Sequence, residues 1–256
     1  MIGAFAGDII GSAYEANPVK TTDFPLFTRH SRFTDDTVLT TATAYALLNG
    51  LDYATVYRRY GRAYPRAGYG GSFMDWLRYD DAPPYNSWGN GSAMRISPVG
   101  LACKSIENLL KEAEKSAAVT HNHPEGIKGA QAVALAIFMG REGKTKQDIR
   151  RVISEKFDYN LSRTIEEIRP SYFFDISCQG SVPQAITAFL ESNDVESAIR
   201  LAVSLGGDSD TQACIAGAIA HAFYKKLPDR IEKEVRTRLP QEFVMVLDDF
   251  SRKYVD

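Results

Sequence analysis

Residues 206–226 read GGDSDTQACIAGAIAHAFYKK, and this stretch says more about the fold than any other. Residues 211–226 are rich in small and apolar side chains on every face of a helix, which is typical of a helix buried in a domain centre. Pro228 follows as a stop signal. In front of the helix, two adjacent glycines allow a tight turn, and the run Asp208–Thr211 brings hydroxyl and carboxylate oxygens to the helix start. The sequence therefore predicts a central apolar helix with an oxygen-rich N-terminus.

Four further segments have a helical pattern. They are residues 38–48, 127–139, 182–190 and 195–205. The first ends at Asn49-Gly50 and the second at Gly140, both typical helix ends, and Pro183 lies near the start of the third. Residues 172–176 are the one short candidate for a strand. We therefore expect a single all-α domain over residues 1–256.

A long segment without a clear pattern, residues 64–100, is rich in proline and glycine and carries Tyr85 and Trp88. A loop of that length inside a compact domain is usually functional or disordered. Its aromatic content argues against disorder, so we expect a functional loop.

Composition excludes several classes of protein. Apolar residues make up 44% of the chain and charged residues 24%, and the net charge of −2 provides no overall electrostatic attraction for nucleic acid. No apolar run is long enough to span a membrane, and residues 1–15 lack the pattern of a signal peptide. Cys103, Cys178 and Cys214 form neither a disulfide framework nor a zinc motif. These observations favour a cytoplasmic protein without a membrane partner.

A second oxygen-rich helix start lies at residues 33–37, FTDDT, directly before the helix predicted for residues 38–48. One interpretation is an ordinary helix cap, in which Thr34 caps the helix and Asp35 and Asp36 complement its dipole. The similar run at Asp208–Thr211 favours a second interpretation, in which both helix starts form one site.

The two runs together hold four carboxylates beside very apolar helices. Burying four carboxylates near one another is prohibitive without cations, because like charges would force protonation. An all-oxygen set suits Mg²⁺, Mn²⁺ or Ca²⁺ rather than zinc. If the two helix starts converge, two cations about 3.5–4 Å apart are the natural arrangement. Neither run continues into an EF-hand loop with its terminal glutamate.

Five blocks in order make the chain resemble the ADP-ribosylglycohydrolase family, which includes the dinitrogenase-reductase-activating glycohydrolase and the ADP-ribosylhydrolases. The blocks are residues 3–15 (GAFAGDIIGSAYE), 33–40 (FTDDTVLT), 89–100 (GNGSAMRISPVG), 120–129 (THNHPEGIKG) and 206–218 (GGDSDTQACIAGA). The resemblance implies an all-α fold with a binuclear magnesium or manganese centre at the base of a cleft. The implied metal ligands are Thr34, Asp35, Asp36, Asp208, Asp210 and Thr211.

The resemblance also implies roles in catalysis. Glu15, in the block Ser12-Ala13-Tyr14-Glu15, matches a glutamate that serine- and O-acetyl-ADP-ribose-acting relatives place over the metals on a mobile loop. We assign it the acid/base role, with Asp35 or Asp36 as the alternative, because glycosidic cleavage needs carboxylates for proton transfer. A solvated loop carboxylate remains the other interpretation of Glu15.

Residues 89–94, GNGSAM, resemble the family loop that receives the phosphates and the distal ribose. The substrate-binding candidates are Asn90, Gly91, Ser92, Met94, His121 and His123. The two histidines have poor spacing for zinc and either touch the ligand or organise their loop. Tyr85 and Trp88 either stack on adenine or belong to the core, and Arg95 pairs either with phosphate or with a structural carboxylate.

The resemblance predicts a hydrolase that removes ADP-ribose from an acceptor, which is either a protein side chain such as arginine or serine, or O-acetyl-ADP-ribose. A nucleic-acid acceptor stays open, and we expect a monomer that uses two divalent cations, Mg²⁺ or Mn²⁺. The Ser12–Glu15 block favours O-linked acceptors over arginine. Two alternatives remain: a nucleotide or phosphoester hydrolase with a similar metal centre, and a non-catalytic member that binds ADP-ribose.

Overall fold

The computed structural model describes residues 1–255, and helices make up most of that range. They are α1 (Ile2–Gly11), α2 (Asp35–Asn49), α3 (Tyr53–Ala63), α4 (Gly71–Leu77), α5 (Gly91–Met94), α6 (Ser97–Ala102), α7 (Ile106–Ala118), α8 (Pro124–Arg141), α9 (Lys146–Phe157), α10 (Ile165–Ile168), α11 (Cys178–Glu191), α12 (Val195–Val203), α13 (Ser209–Tyr224), α14 (Asp229–Thr237) and α15 (Gln241–Tyr254). No strand forms within residues 1–255, so the all-α prediction is confirmed.

The predicted central helix is α13, and every residue from Ser209 to Ala220 is buried. Helices α1, α8, α11 and α12 pack around it. The helix ends at Tyr224 and is closed by Lys225, which adopts a left-handed conformation with φ of 58°. The stop therefore comes three residues before Pro228, through a left-handed C-terminal residue of the kind that often closes helices.

Helix α1 packs against α13 through a stripe of glycines. Gly3, Gly7 and Gly11 are four residues apart and share one helix face. A Cβ atom at Gly7 would lie 1.9 Å from the Ala213 carbonyl oxygen, so the two backbones touch. Gly3 approaches Gly217 in the same way, so helices α1 and α13 run antiparallel. The C-terminal end of α1 therefore lies beside the N-terminus of α13.

The other predicted helices are present with shifted ends. Helix α2 ends before Gly50, whose φ of 63° fits the predicted glycine stop. Helix α8 continues through Gly140 to Arg141. Helix α11 begins at Cys178, capped by the Ser177 side chain, so Pro183 lies inside the helix rather than at its first position.

Two expectations were wrong. Residues 172–176 form no strand, and Phe173, Phe174 and Ile176 are exposed; the only pairing nearby in the described range is one isolated bridge between Gly89 and Ser177. Alternating apolar residues make a strand only where a partner covers one face, and none does so here. Residues 64–100 are not structureless, since they contain α4, α5 and the start of α6.

No helix in residues 1–255 is both long and apolar enough to cross a membrane. Cys103, Cys178 and Cys214 are all free.

Candidate active site

The N-termini of α2 and α13 meet at a cleft of about 380 Å³. The six predicted metal ligands all line it: Thr34, Asp35, Asp36, Asp208, Asp210 and Thr211. One hydrogen bond joins the two helix starts directly, because the Thr211 Oγ1 hydroxyl donates to Asp36 Oδ2 over 3.3 Å. The structure thus brings together two runs that are more than 170 residues apart in sequence.

The start of α2 also has the ordinary helix cap that its sequence suggests. The Thr34 Oγ1 atom accepts a hydrogen bond from the Asp36 backbone N–H at 3.3 Å. Capping and site formation therefore coexist, because capping occupies the Thr34 hydroxyl and leaves both aspartate side chains facing the cleft.

A buried residue that sequence reasoning missed, Asp8, holds this helix start in place. Its carboxylate accepts hydrogen bonds from the Thr34 backbone N–H (2.9 Å), the Thr34 hydroxyl (2.7 Å) and both the backbone N–H and the hydroxyl of Thr37. Asp8 is fully buried within the apolar helix α1. A lone carboxylate in such a helix was the available signal, since a buried charge needs several donors.

The start of α13 is arranged around Asp208 and Asp210. The Asn90 side-chain amide donates to Asp208 Oδ2 over 2.7 Å, and the Thr211 backbone N–H donates to Asp210 Oδ1 over 3.0 Å. Three carboxylate oxygens lie within 4.8 Å of one another, one each from Glu15, Asp208 and Asp210. Glu15 is exposed and the other two are buried, so Glu15 covers the group from the solvent side.

Close backbone approach shapes the wall beside Asp35. The Asp35 backbone N–H donates to the Ala67 carbonyl over 2.9 Å, and Gly68 follows with a φ of 111°. A Cβ atom at Gly68 would lie 3.3 Å from Asp35 Oδ1. Glycine suits this position because it tolerates the positive φ and leaves the carboxylate room.

Burial, and then the crowding of carboxylates, raise the pKa values of these groups. Burial, and then the neighbouring Asp8 charge, raise the pKa of Asp35 to about 8. Burial and the same charge hold the pKa of Asp36 well above its usual range. The pKa of Asp210 is raised in the same way, by burial and by Asp208, and that of Glu15 by partial burial and Asp208. Without cations, the site would therefore keep protons that isolated carboxylates release.

One buried oxygen in this group has no donor. Asp36 Oδ1 lacks a hydrogen-bond partner, although buried carboxylate oxygens are normally paired. Its neighbours in the cleft supply more carboxylate and hydroxyl oxygens, which are the ligands that Mg²⁺ and Mn²⁺ prefer. The residues present therefore fit a divalent-cation site, and Glu15, Asp208 and Asp210 form a candidate metal-binding group.

Four of the predicted substrate-binding residues line the cleft: Asn90, Gly91, Met94 and His121. The Asn90 side chain is already engaged with Asp208, so it orients that carboxylate. Glu15 and Tyr85 also line the cleft, and Phe174 and Ile176, from the segment expected to form a strand, add apolar surface.

Ser92 and His123 lie outside the cleft lining. The Ser92 hydroxyl is buried and donates to the Gly126 carbonyl over 2.7 Å. His123 caps α8, where its Nδ1 accepts from the Glu125 backbone N–H over 3.1 Å, and the half-exposed Trp88 packs against its ring. In this structure both residues organise their loops.

Comparison with known proteins agrees with this geometry. The family profile described as ADP-ribosylglycohydrolase matches residues 1–254. The chain is 28% identical to ADP-ribosylhydrolase ARH3 from Homo sapiens, over 88% of this chain and 84% of that protein. It is 26% identical to ADP-ribosylarginine hydrolase Tri1 from Pseudomonas putida (strain GB-1), over 97% of this chain and 76% of the relative.

A solved structure described as an ADP-ribosylglycohydrolase-related protein complex has a similar fold. It superposes with a TM-score of 0.75 at 24% identity, covering 98% of this chain and 94% of that one. The family profile covers nearly the whole sequence, and the helix starts that carry its motifs converge in one cleft. The chain belongs to the ADP-ribosylglycohydrolase family of enzymes.

Proposed function

We propose that the protein hydrolyses the glycosidic bond between ADP-ribose and an acceptor, with two divalent cations, Mg²⁺ or Mn²⁺, held in the cleft. The observation that carries this proposal is the convergence of Glu15, Asp208 and Asp210 with the Thr34–Asp36 turn, in a chain of this family. The cleft volume of about 380 Å³ is in the range of small-molecule sites.

The proposed metal ligands are Thr34, Asp35, Asp36, Asp208, Asp210 and Thr211. When bound, such cations orient the ribose diol and lower the pKa of a bound water. The protein's own contribution is to hold the ligands: Asp8 fixes the Thr34 turn, and Asn90 fixes Asp208.

Glu15 is the proposed acid/base residue. In hydrolysis, the bond from the anomeric carbon to the acceptor breaks, a bond to water oxygen forms, and the departing acceptor gains the proton that water loses. Partial burial and then Asp208 raise the pKa of Glu15, which is the direction that suits a proton donor. Asp35 or Asp36 is the alternative carrier, because both lie in the same cleft.

For the acceptor, we propose O-linked ADP-ribose ahead of ADP-ribosyl-arginine. The support is the Ser12–Glu15 block, which resembles that of the serine- and O-acetyl-ADP-ribose-acting branch. The Pseudomonas putida relative is named for arginine, so that substrate belongs in the test. An ADP-ribosylated protein or a small conjugate is the proposed partner.

The test is release of free ADP-ribose from serine-linked, arginine-linked and O-acetyl substrates, with Mg²⁺, with Mn²⁺ and with EDTA. We expect cation-dependent release, fastest from an O-linked substrate. Glu15→Gln should lower kcat about 100-fold, because acid–base groups contribute at least that much. Glu114→Gln, an exposed glutamate on α7, is the matched control and should retain activity.

Two results would overturn the proposal. Formation of AMP or inorganic phosphate in place of ADP-ribose would indicate cleavage at the diphosphate, as in a phosphoester hydrolase. Binding of ADP-ribose without release from any substrate would indicate a non-catalytic binding protein.

A further inference from the structure

A buried cation, Arg95, lies in the wall of the cleft. Arg95 is 0% exposed, lines the cleft and forms no ion pair among residues 1–255. Its Nη2 donates to the Ser116 carbonyl (2.8 Å) and to Thr120 Oγ1 (2.9 Å), and its guanidinium lies 4.5 Å from the Tyr57 ring centroid. Both Nε and Nη1 lack partners. Because burying such a charge is costly, its position calls for a function.

The Thr120 hydroxyl links the Arg95 guanidinium to His121, a residue of the cleft lining. Thr120 is fully buried, and its Oγ1 lies 2.7 Å from Nδ1 of His121. A guanidinium only donates hydrogen bonds, so Thr120 Oγ1 accepts from Arg95. The hydroxyl proton then remains available for His121 Nδ1.

Electrostatics favours the same direction of donation. If Nδ1 carried its own proton, a positive N–H end would point at an oxygen already polarised by the Arg95 cation. With the lone pair of Nδ1 facing Thr120, the imidazole dipole is favourably oriented toward that cation. The ring proton then belongs on Nε2.

The Nε2 atom of His121 faces the Gly89–Gly91 loop of the cleft. A Cβ atom would lie 3.0 Å from Nε2 if placed on Gly91, and 3.4 Å if placed on Gly89. On its other side, His121 is held by its backbone N–H, which donates to the Ala117 carbonyl over 2.7 Å, and the Tyr85 ring lies 5.9 Å away. The ring therefore presents one nitrogen to the space above the Gly89–Gly91 loop.

We propose that Arg95 is a positioning residue that acts through Thr120 to hold His121 as the neutral Nε2–H tautomer, and so gives the cleft an uncharged hydrogen-bond donor for a phosphate oxygen of the ligand. The ligand's identity rests on the function proposed above, whereas the tautomer does not. Burial and the Arg95 charge lower the pKa of His121 well below its usual range, in agreement with a neutral ring.

The tautomer is measured directly by long-range ¹H–¹⁵N NMR of the full chain labelled on histidine nitrogens, which separates protonated from bare ring nitrogens. The His121 signals are assigned by their loss in His121→Gln. We expect Nε2–H and bare Nδ1, unchanged between about pH 5 and pH 8. A proton on Nδ1, or an imidazolium at neutral pH, would overturn the proposal whether or not the chain hydrolyses ADP-ribose.

Two matched variants test the connection through Thr120. Thr120→Val keeps the shape and removes the hydroxyl, so we expect a mixture of His121 tautomers and a Kd for free ADP-ribose about tenfold weaker. Thr120→Ser restores the hydroxyl and should restore both. If Thr120→Val leaves the tautomer and the Kd unchanged, Thr120 does not carry the effect and the proposal fails. If Thr120→Val does not fold, the spectra of the wild type and of Thr120→Ser still test whether His121 carries its ring proton on Nε2.

Discussion

The lining of the cleft holds charge in two different ways. The acidic cluster (Asp35, Asp36, Asp208 and Asp210) packs like charges together and leaves Asp36 Oδ1 without a donor. Arg95 is a single buried cation whose Nη2 donates to neutral protein oxygens. The acidic cluster needs protons or external cations to offset its charge, whereas groups of the chain itself hold the Arg95 charge. Hence we expect metal and pH to act on the acidic cluster and to leave the surroundings of Arg95 unchanged.

The largest effect should follow from breaking the acidic cluster with Asp210→Ala. Losing one carboxylate from the proposed cation site should cost several kcal/mol of transition-state stabilisation, which corresponds to a fall in kcat/KM of about 1,000-fold. The same variant should lose most of the rise in Tm that Mg²⁺ or Mn²⁺ causes in the wild type. ADP-ribose release and thermal melts with and without EDTA measure the two effects.

If Asp210→Ala keeps the cation-dependent rise in Tm, the cations bind elsewhere. His121 serves as an internal control, because its ring signals should not move when the cations are removed.

A smaller effect concerns stability without metal. Folding raises the pKa of Asp35 to about 8, through burial and Asp8, from about 3.9 in an unfolded chain. Between these values the folded state binds more protons than the unfolded state, so the free energy of unfolding should fall as pH rises. With EDTA we expect a loss of about 3–4 kcal/mol between pH 5 and pH 8.

Urea denaturation at the two pH values measures this change. Saturating Mn²⁺ should reduce the loss, and Asp35→Asn should reduce it without metal. A metal-free protein that becomes more stable as pH rises would contradict a raised pKa for Asp35 in the acidic cluster.

The smallest of these effects is expected for Asn90→Ala, which removes the 2.7 Å hydrogen bond to Asp208 Oδ2. Residues that orient a metal ligand typically contribute at least tenfold to metal affinity, so we expect a fall of about tenfold. Asn108→Ala, at an exposed asparagine on α7, is the matched control. Cation titration followed by Tm or calorimetry measures the change, and equal affinities in the two variants would show that Asn90 does not orient Asp208.

Much of the local structure followed from the sequence alone. Helical periodicity, the Thr34 cap and the Gly50 stop are interactions within a few residues, so the start and end of α2 were predictable. The apolar composition of residues 211–226 likewise predicted a buried helix. The family motifs named the carboxylates, although their roles as ligands and acid/base groups remain predictions.

Only the tertiary structure decided which of these pieces meet. The glycine contacts of α1 with α13 place Asp8 under the Thr34 turn and Glu15 above Asp208. The lone carboxylate in α1 signals that Asp8 needs donors, but it does not indicate which turn supplies them. Of the two partners expected for Arg95, a carboxylate is absent among residues 1–255 and phosphate stays a prediction; its Nη2 donates to Thr120, whose Oγ1 lies beside His121 Nδ1. Helix periodicity and caps depend on neighbours within one or two turns, whereas these contacts depend on how distant helices pack, which is why the sequence determined the helices and the fold determined the site.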